Sequence, residues 1–426
     1  MAGDRCHRQG RGRDGQRGHE SRAAPLSRRC GEALERLILG LVKAFKGLIA
    51  VGWISRACCP KPPFGMPLLA WEPQEAEASA IGTGQQAVRM RFRMKDALHK
   101  RQLIERGLLK TWSKHGRNSV QGENHRALCA LLRVALRLTG LRRRGEQNAL
   151  TPVMRAIRLT YDNLPESFCG FRILHLTDLH ADGLVGLADA ISARLAALEV
   201  DLCVLTGDYR FEVRGPCHNI YPPMERILKS VNARLGIVGI LGNHDVSEEI
   251  PALEALGVRM LINEALELRR GRETAWVIGL DDPHYYGCDD LPGALRHVPA
   301  DAFKVLLVHT PEIVKEAEAY GIDLYLCGHT HGGQICLPLI GPMVINANCP
   351  RAYARGVWQY KNLQGYTNSG VGASGVPVRF FCPPEIGLIE LRCARHQEHA
   401  PAPAHDGLSA LEEEETTSSL SLAGLH

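Results

Sequence analysis

Between residues 168 and 391 short apolar runs alternate with amphipathic stretches, and that rhythm predicts an α/β domain. The runs FRILHLT (171–177), DLCVLT (201–206), LGIVGIL (235–241), AWVIGL (275–280), FKVLLV (303–308) and DLYLC (323–327) have the length and apolar continuity of buried strands. GLADAISARLAALE (186–199), PPMERILKSVNA (222–233) and PEIVKEAEAY (311–320) fall between them as helices.

The rest of the chain reads differently. Residues 1–122 form a basic leader that opens on GDRCHRQGRGRDGQRGHESR, rich in Arg and Gly and without apolar period, which predicts disorder. Its apolar stretch LILGLVKAFKGLIAVGWI (37–54) is interrupted by Lys43 and Lys46 and is marginal against the roughly 20 residues a membrane span needs. Three readings stay open for it: a span, an interfacial helix and a weakly ordered segment. It sits too far from the start for a signal peptide. Met66, Met90 and Met94 precede the first clear element, and each is a candidate translation start.

Over 123–167 a basic amphipathic helix and a linker are expected. Leu128, Leu131, Leu132, Leu136 and Leu138 fall near helical spacing, interleaved with Arg133, Arg137 and Arg142 to Arg144. Such a helix either lies on an anionic membrane surface or packs on the domain with its arginines in water. The domain itself is placed at 168–392. A polar tail with EEEETTSSLSL, predicted disordered, occupies 393–426.

Composition refines this only a little. A chain of 426 residues that is 45% hydrophobic has material for one large or two ordinary domains. The net charge of +5 is small and concentrated near the N-terminus. Fourteen cysteines form no C-x-x-C pair, and Cys203 and Cys327 sit inside apolar runs, so they read as reduced core thiols in a cytosolic setting rather than as ligands.

The chemistry lies in the polar residues at the end of each run. The first run ends on Asp178 and His180, the second on Gly207 and Asp208, the third on Asn243, His244 and Asp245. FKVLLV ends on His309, and DLYLC on His329 and His331 among glycines. In a mainly parallel sheet the C-terminal strand ends share one edge, so these residues can converge despite their spread in sequence. Asp178, His180, Asp208, Asn243, His309, His329 and His331 offer two carboxylates, an amide and four imidazoles. That mixture suits manganese, zinc or iron. Seven ligands exceed one tetrahedral site and match two divalent ions sharing a carboxylate. In an extended stretch His329 and His331 would point the same way, each towards one of two adjacent ions.

DLH, GDY, GNHD, HTPE and GHTHGGQI, in this order, resemble the calcineurin-like metallophosphoesterases over about 168–391. The resemblance implies a four-layer α/β/β/α sandwich. It implies that Asp178, His180 and His331 bind one metal, Asn243, His309 and His329 the other, and that Asp208 bridges them. It implies further that His244 contacts the phosphate and protonates the leaving oxygen, with Asp245 orienting its imidazole. The implied reaction is hydrolysis of a phosphodiester or pyrophosphate by a metal-bridging hydroxide. CGHTHGGQICLPLIGP and YTNSGVGASGVPVRFFCPPEIGLIEL resemble a narrower bacterial group of membrane-associated phosphodiesterases, some acting on UDP-2,3-diacylglucosamine, a lipid A precursor. Protein-serine phosphatases of the superfamily carry GNHE and GD-x-V-D-R-G, absent here.

Other residues read more blandly. His175 is expected to be a satisfied strand histidine. His218 and His284 are candidates for the pocket wall, and Asp281 or Asp282 for the rim or a loop cap. Arg351, Arg355 and Arg379 are candidate phosphate binders whose default is solvation. A nuclease would need a basic groove interleaved with aromatics, and only 6% of the chain is aromatic, so no nucleic-acid partner is expected. A scaffold without catalysis would lack a ligand or His244, and neither is missing.

Overall fold

The computed structural model of the protein describes residues 98–109, 126–338, 340–342 and 344–394. The apolar stretch 37–54 and the tail from 395 lie outside the described residues. A helix over 98–105 (α1) comes first, then α2 (Arg126–Leu138) and α3 (Arg142–Ala149). Twelve strands build two sheets. They are β1 (Val153–Tyr161), β2 (Phe171–Leu176), β3 (Leu202–Leu205), β4 (Ile237–Gly239), β5 (Val258–Met260), β6 (Glu264–Arg270), β7 (Glu273–Gly279), β8 (Phe303–Leu307), β9 (Leu324–Cys327), β10 (Gly356–Tyr360), β11 (Leu363–Thr367) and β12 (Glu385–Cys393).

The first sheet has the order β1-β12-β2-β3-β4-β5, the second β10-β11-β9-β8-β7-β6. Central strands pair in parallel, Leu174 beside Cys203 and Val305 beside Leu324, for example. Strands buried on both faces read as near-continuous apolar runs, which is why β3 and β9 do not alternate and β8 is broken only by Lys304, whose ammonium donates to the carbonyls of Ala300, Ala302 and Gly321. Ile173, Val204 and Val238 of the first sheet pack against Val305, Leu307 and Leu326 of the second, closing a core between the sheets. Outside the first sheet α4 (Leu187–Leu195), α5 (Tyr221–Lys229) and α6 (Ile250–Ala255) bury Ile191, Ile227 and Leu253. Outside the second, α7 (Leu291–Ala294) and α8 (Val314–Ala319) bury Leu291 and Ala317. The layers therefore run α/β/β/α.

One expectation is corrected here. The segment 123–167 is not a helix and linker throughout, because residues 153–161 form β1, which pairs in parallel with β12 from Val153↔Glu385 to Tyr161↔Cys393. The alternation is blurred because the first half of β1 is only half-buried; burial sharpens from Ile157 on. The basic helix α2 packs on the domain through Leu136, which meets Val376, Val378 and Phe380, and Arg133 donates to the Gly375 carbonyl at 2.8 Å. Leu131, Val134 and Leu138 stay exposed. Among the described residues no helix is long and apolar enough to cross a membrane.

Candidate metal centre

The C-terminal ends of β2, β3, β4, β8 and β9 open onto one edge, and the loops there are bent by backbone that side chains rarely adopt. Nine described non-glycine residues have positive φ, and five of them are Asp178 (49°), His180 (39°), Asp208 (58°), His329 (66°) and His331 (51°). Each such residue costs on the order of 1–3 kcal/mol, a cost that persists only where surrounding structure enforces it, and such residues gather at functional sites. The extended geometry expected for His329 and His331 is therefore corrected. Both are left-handed, and His331 opens a 3-10 turn, so the backbone turns rather than alternates between them.

All seven candidate ligands are buried. The structure gathers Asp178, His180 and His331 into one group and Asp208, His309 and His329 into another. His180 and His244 meet Asp208 in a third, overlapping group. Asn243 joins through Oδ1, which lies 3.0 Å from His309 Nε2. Asp208 is the centre: its Oδ2 stands 3.3 Å from His309 Nε2, 3.8 Å from His180 Nε2 and 3.9 Å from His244 Nε2, while its Oδ1 accepts from the His244 backbone N–H at 2.9 Å.

The tautomers are set by the outer contacts. His180 Nδ1 lies 2.7 Å from the Arg210 carbonyl, His309 Nδ1 2.7 Å from that of Thr206, and His244 Nδ1 2.8 Å from that of Phe211. His329 Nε2 faces the Asn346 carbonyl. A carbonyl only accepts, so each of these ring nitrogens carries the proton and the other nitrogen turns a lone pair inward. His309 Nε2 and His329 Nδ1 then face each other at 3.3 Å. His331 Nδ1 lies 3.3 Å from the Arg379 guanidinium, which only donates, so His331 turns its Nε2–H towards the bare Nε2 of His180 at 3.2 Å. Two lone pairs as close as those of His309 and His329 repel unless a positive charge lies between them.

Electrostatics point the same way. Burial opposes the Asp208 carboxylate, but His309 and His244 outweigh it and hold the group well below its usual range. Burial likewise opposes charge on His309, yet Asp208 raises it well above the usual imidazole value, so without a cation a proton on Nε2 supplies the positive charge that a metal would displace. Burial, with His244 beside it, pushes His180 down to about 3, keeping that imidazole neutral as a ligand must be. Two buried carboxylates among carbonyl-anchored imidazoles are a donor set that fits divalent cations, and the orienting carbonyls are the outer contacts metal-bound histidines usually make.

Glycine supplies the close approaches. A Cβ on Gly328 would lie 2.2 Å from Asp178 Oδ2 and 2.2 Å from Thr177 Oγ1. Gly328→Ala is expected to cost about 1–3 kcal/mol, the usual penalty for overpacking, and to weaken metal uptake by displacing Asp178. Thermal melts of metal-free and metal-loaded protein check both, and a variant with the unaltered metal-induced shift would count against this packing.

A family model described as calcineurin-like phosphoesterase matches residues 171–333. YkuE of Bacillus subtilis (strain 168), an uncharacterized metallophosphoesterase, is 31% identical over 239 residues, 54% of this chain and 82% of that protein. The chain belongs to the calcineurin-like metallophosphoesterase family. A protein of Escherichia coli (strain K12) named phosphodiesterase YaeI is 29% identical over 231 residues, 52% of this chain and 82% of its own length. A Bos taurus transmembrane protein with metallophosphoesterase domain is 28% identical over 290 residues, 63% of this chain and 62% of its own. As a calcineurin-like metallophosphoesterase the chain is a metal-dependent hydrolase of phosphate esters.

Some side chains of this metallophosphoesterase stand elsewhere than expected, whereas Asp282 and His175 take their default places. Asp245 does not orient the His244 ring. Its carboxylate accepts from the backbone N–H of Asp208, Tyr209 and Gly242, each at 2.7 Å, and the Phe211 carbonyl holds the ring instead. Arg379 is neither solvated nor aimed at substrate: it is fully buried and donates to the carbonyls of Ser369 (2.8 Å) and Gly370 (2.9 Å), shaping the loop against Asp178. Asp282 caps its loop, accepting from the N–H groups of His284, Tyr285 and Tyr286. His175 is a core residue bonded to the Thr206 hydroxyl at 2.8 Å. His218, Arg351 and Arg355 are exposed. His284 does reach the centre, its ring centroid 4.4 Å from that of His329 and its Nδ1 2.9 Å from Glu312 Oε1. Glu312 was visible only as the last letter of HTPE, with nothing in the pattern to assign it.

Proposed function

We propose that the chain is a dinuclear metallophosphodiesterase in which Asp178, His180 and His331 hold one ion, Asn243, His309 and His329 the other, and Asp208 both. The observation that carries this reading is the pair of inward-facing nitrogen contacts, His180 with His331 and His309 with His329, on either side of Asp208. Manganese, zinc and iron all suit such mixed donors. When bound, the ions supply Lewis acidity and lower the pKa of a coordinated water towards about 7. The chain's own part is positional. Carbonyl-anchored imidazoles keep their donor atoms fixed, so little reorganisation is needed when charge develops. His244, fixed through Nδ1 by the Phe211 carbonyl, presents Nε2 beside Asp208, where, protonated on both nitrogens, it binds the phosphoryl oxygens and delivers its Nε2 proton to the leaving oxygen.

A diester or pyrophosphate is the substrate class, supported by the phosphodiesterase name of the Escherichia coli relative. A UDP-linked acyl sugar is the narrower alternative, to be tested rather than assumed. Peripheral contact with an anionic membrane through α2 is supported by exposed Leu131, Val134 and Leu138 beside Arg133 and Arg137.

Purified protein stripped by chelator and reloaded with manganese or zinc should hydrolyse bis-p-nitrophenyl phosphate faster than a monoester analogue. Chelation should abolish turnover and reloading restore it. Turnover indifferent to chelation would end the proposal, and a strong preference for the UDP-linked sugar would select the lipid precursor.

A further inference from the structure

Helix α1 lies well before the residues matched by the family model, yet it reaches the loop that carries Asn243 and His244. Arg101 of α1 is fully buried. Its Nη2 donates to the carbonyls of Gly242 at 2.8 Å and Asp245 at 2.6 Å, the two residues that flank Asn243 and His244. Its Nη1 pairs with Asp281, its Nε donates to Glu105 at 2.9 Å, and its guanidinium lies 3.9 Å from the Tyr286 ring centroid. Glu105 then accepts from the Ser247 N–H at 2.8 Å and its hydroxyl at 2.6 Å.

A guanidinium withdrawn from water costs several kcal/mol unless its donors are met, and anchoring a helix to a surface does not require one. What this arrangement supplies is direction. Five N–H donors in a rigid fork fix two carbonyls relative to each other. Asp245 ties the same loop to the Asp208 and Tyr209 N–H groups from the other side. The loop is thus clamped from both sides, with no slack at Gly242, where a Cβ would lie 2.2 Å from Asp208 Oδ1.

We propose that Arg101 is a positioning residue for His244, clamping the Gly242–Asp245 loop so that the imidazole stands where the leaving oxygen departs. The proposal rests on the role of His244 as proton donor. Because removing Arg101 alone would leave Asp281 buried without its cation, the test is the double variant Arg101→Met/Asp281→Asn in the full chain. Two diesters are compared, bis-p-nitrophenyl phosphate with a good leaving group and diphenyl phosphate with a poorer one that depends more on protonation.

The folded, metal-loaded double variant is expected to lose about 10–100-fold in kcat on diphenyl phosphate, the usual size of an outer-contact effect, and distinctly less on the p-nitrophenyl ester, with KM little changed. In a His244→Ala background it should add no further loss, as residues acting through one group are not additive. Wild-type kcat on diphenyl phosphate, equal losses on both esters, or an additive loss in that background would overturn the proposal. If the double variant does not fold, Ser247→Ala, which removes the hydroxyl that Glu105 holds, carries the same comparison of esters. Failure of the underlying reading would show separately, as wild-type hydrolysis that ignores metal.

Discussion

Asp208→Ala is expected to strip both metals and to lower kcat/KM by on the order of 10³-fold or more, since the Lewis acidity lost is worth several kcal/mol at about 1.36 kcal/mol per tenfold. Asp208 is the one carboxylate whose oxygen faces His309, His180 and His244 together. Removing Asp178 would open one group of ligands, whereas removing Asp208 opens every group it joins. The folded state itself should survive. Metal-free, the variant should melt below the wild type, because removing Asp208 leaves the buried His309 without its carboxylate partner and the His244 N–H without its acceptor. The gap should widen when metal is added. A bound ion at 100 times its dissociation constant stabilises by about 2.7 kcal/mol, and only the wild type should show that gain. Elemental analysis of dialysed protein reads the stoichiometry directly, and a variant that keeps two ions and full turnover would remove Asp208 from the centre.

How legible each feature is in the sequence depends on the physical signal it leaves there. Central strands, mostly buried, leave predominantly apolar runs, so β2, β3, β4, β7, β8 and β9 were legible to within a few residues. Their ends were legible because polar residues directly after such runs stand out. Edge strand β1 was not, since its half-buried positions Val153 to Ala156 carry little apolar contrast, and neither composition nor spacing revealed a second sheet. Pairing β12 antiparallel to β2 and parallel to β1 joins segments more than 200 positions apart, which no local pattern encodes.

The ligand types were legible, but their supports were not. Backbone carbonyls of Thr206, Arg210, Phe211 and Asn346 fix four imidazoles, and a carbonyl leaves no trace in the choice of side chain. Asp245 illustrates the consequence. The family resemblance implied a carboxylate–imidazole pair with His244, yet the tight turn sends the carboxylate back to three N–H groups of its own and the neighbouring loop. Arg101 sits in a basic segment where one more arginine attracts no notice. Arg379 differs from Arg351 and Arg355 only by burial, which tertiary packing decides.

His244→Ala separates chemistry from metal binding, and it is expected to lower kcat by about 10²–10⁴-fold, the usual range for a general acid, while metal content stays at the wild-type value. The geometry supports that separation. His244 Nε2 lies 3.9 Å from Asp208 Oδ2, and the groups that join Asp178, His180 and His331, and Asp208, His309 and His329, form without it. Its ring stands edge-on to His180, centroids 4.8 Å apart. The backbone N–H of His244 holds Asp208 Oδ1 at 2.9 Å, and this bond survives truncation of the side chain. The alanine variant should therefore bring Asp208 to the same place without delivering a proton. Esters with poor leaving groups should lose most, because protonation matters most where the departing oxygen is basic. Loss of both ions along with activity would make His244 a ligand instead. Equal loss on good and poor leaving groups would leave it a phosphate contact with no part in proton transfer.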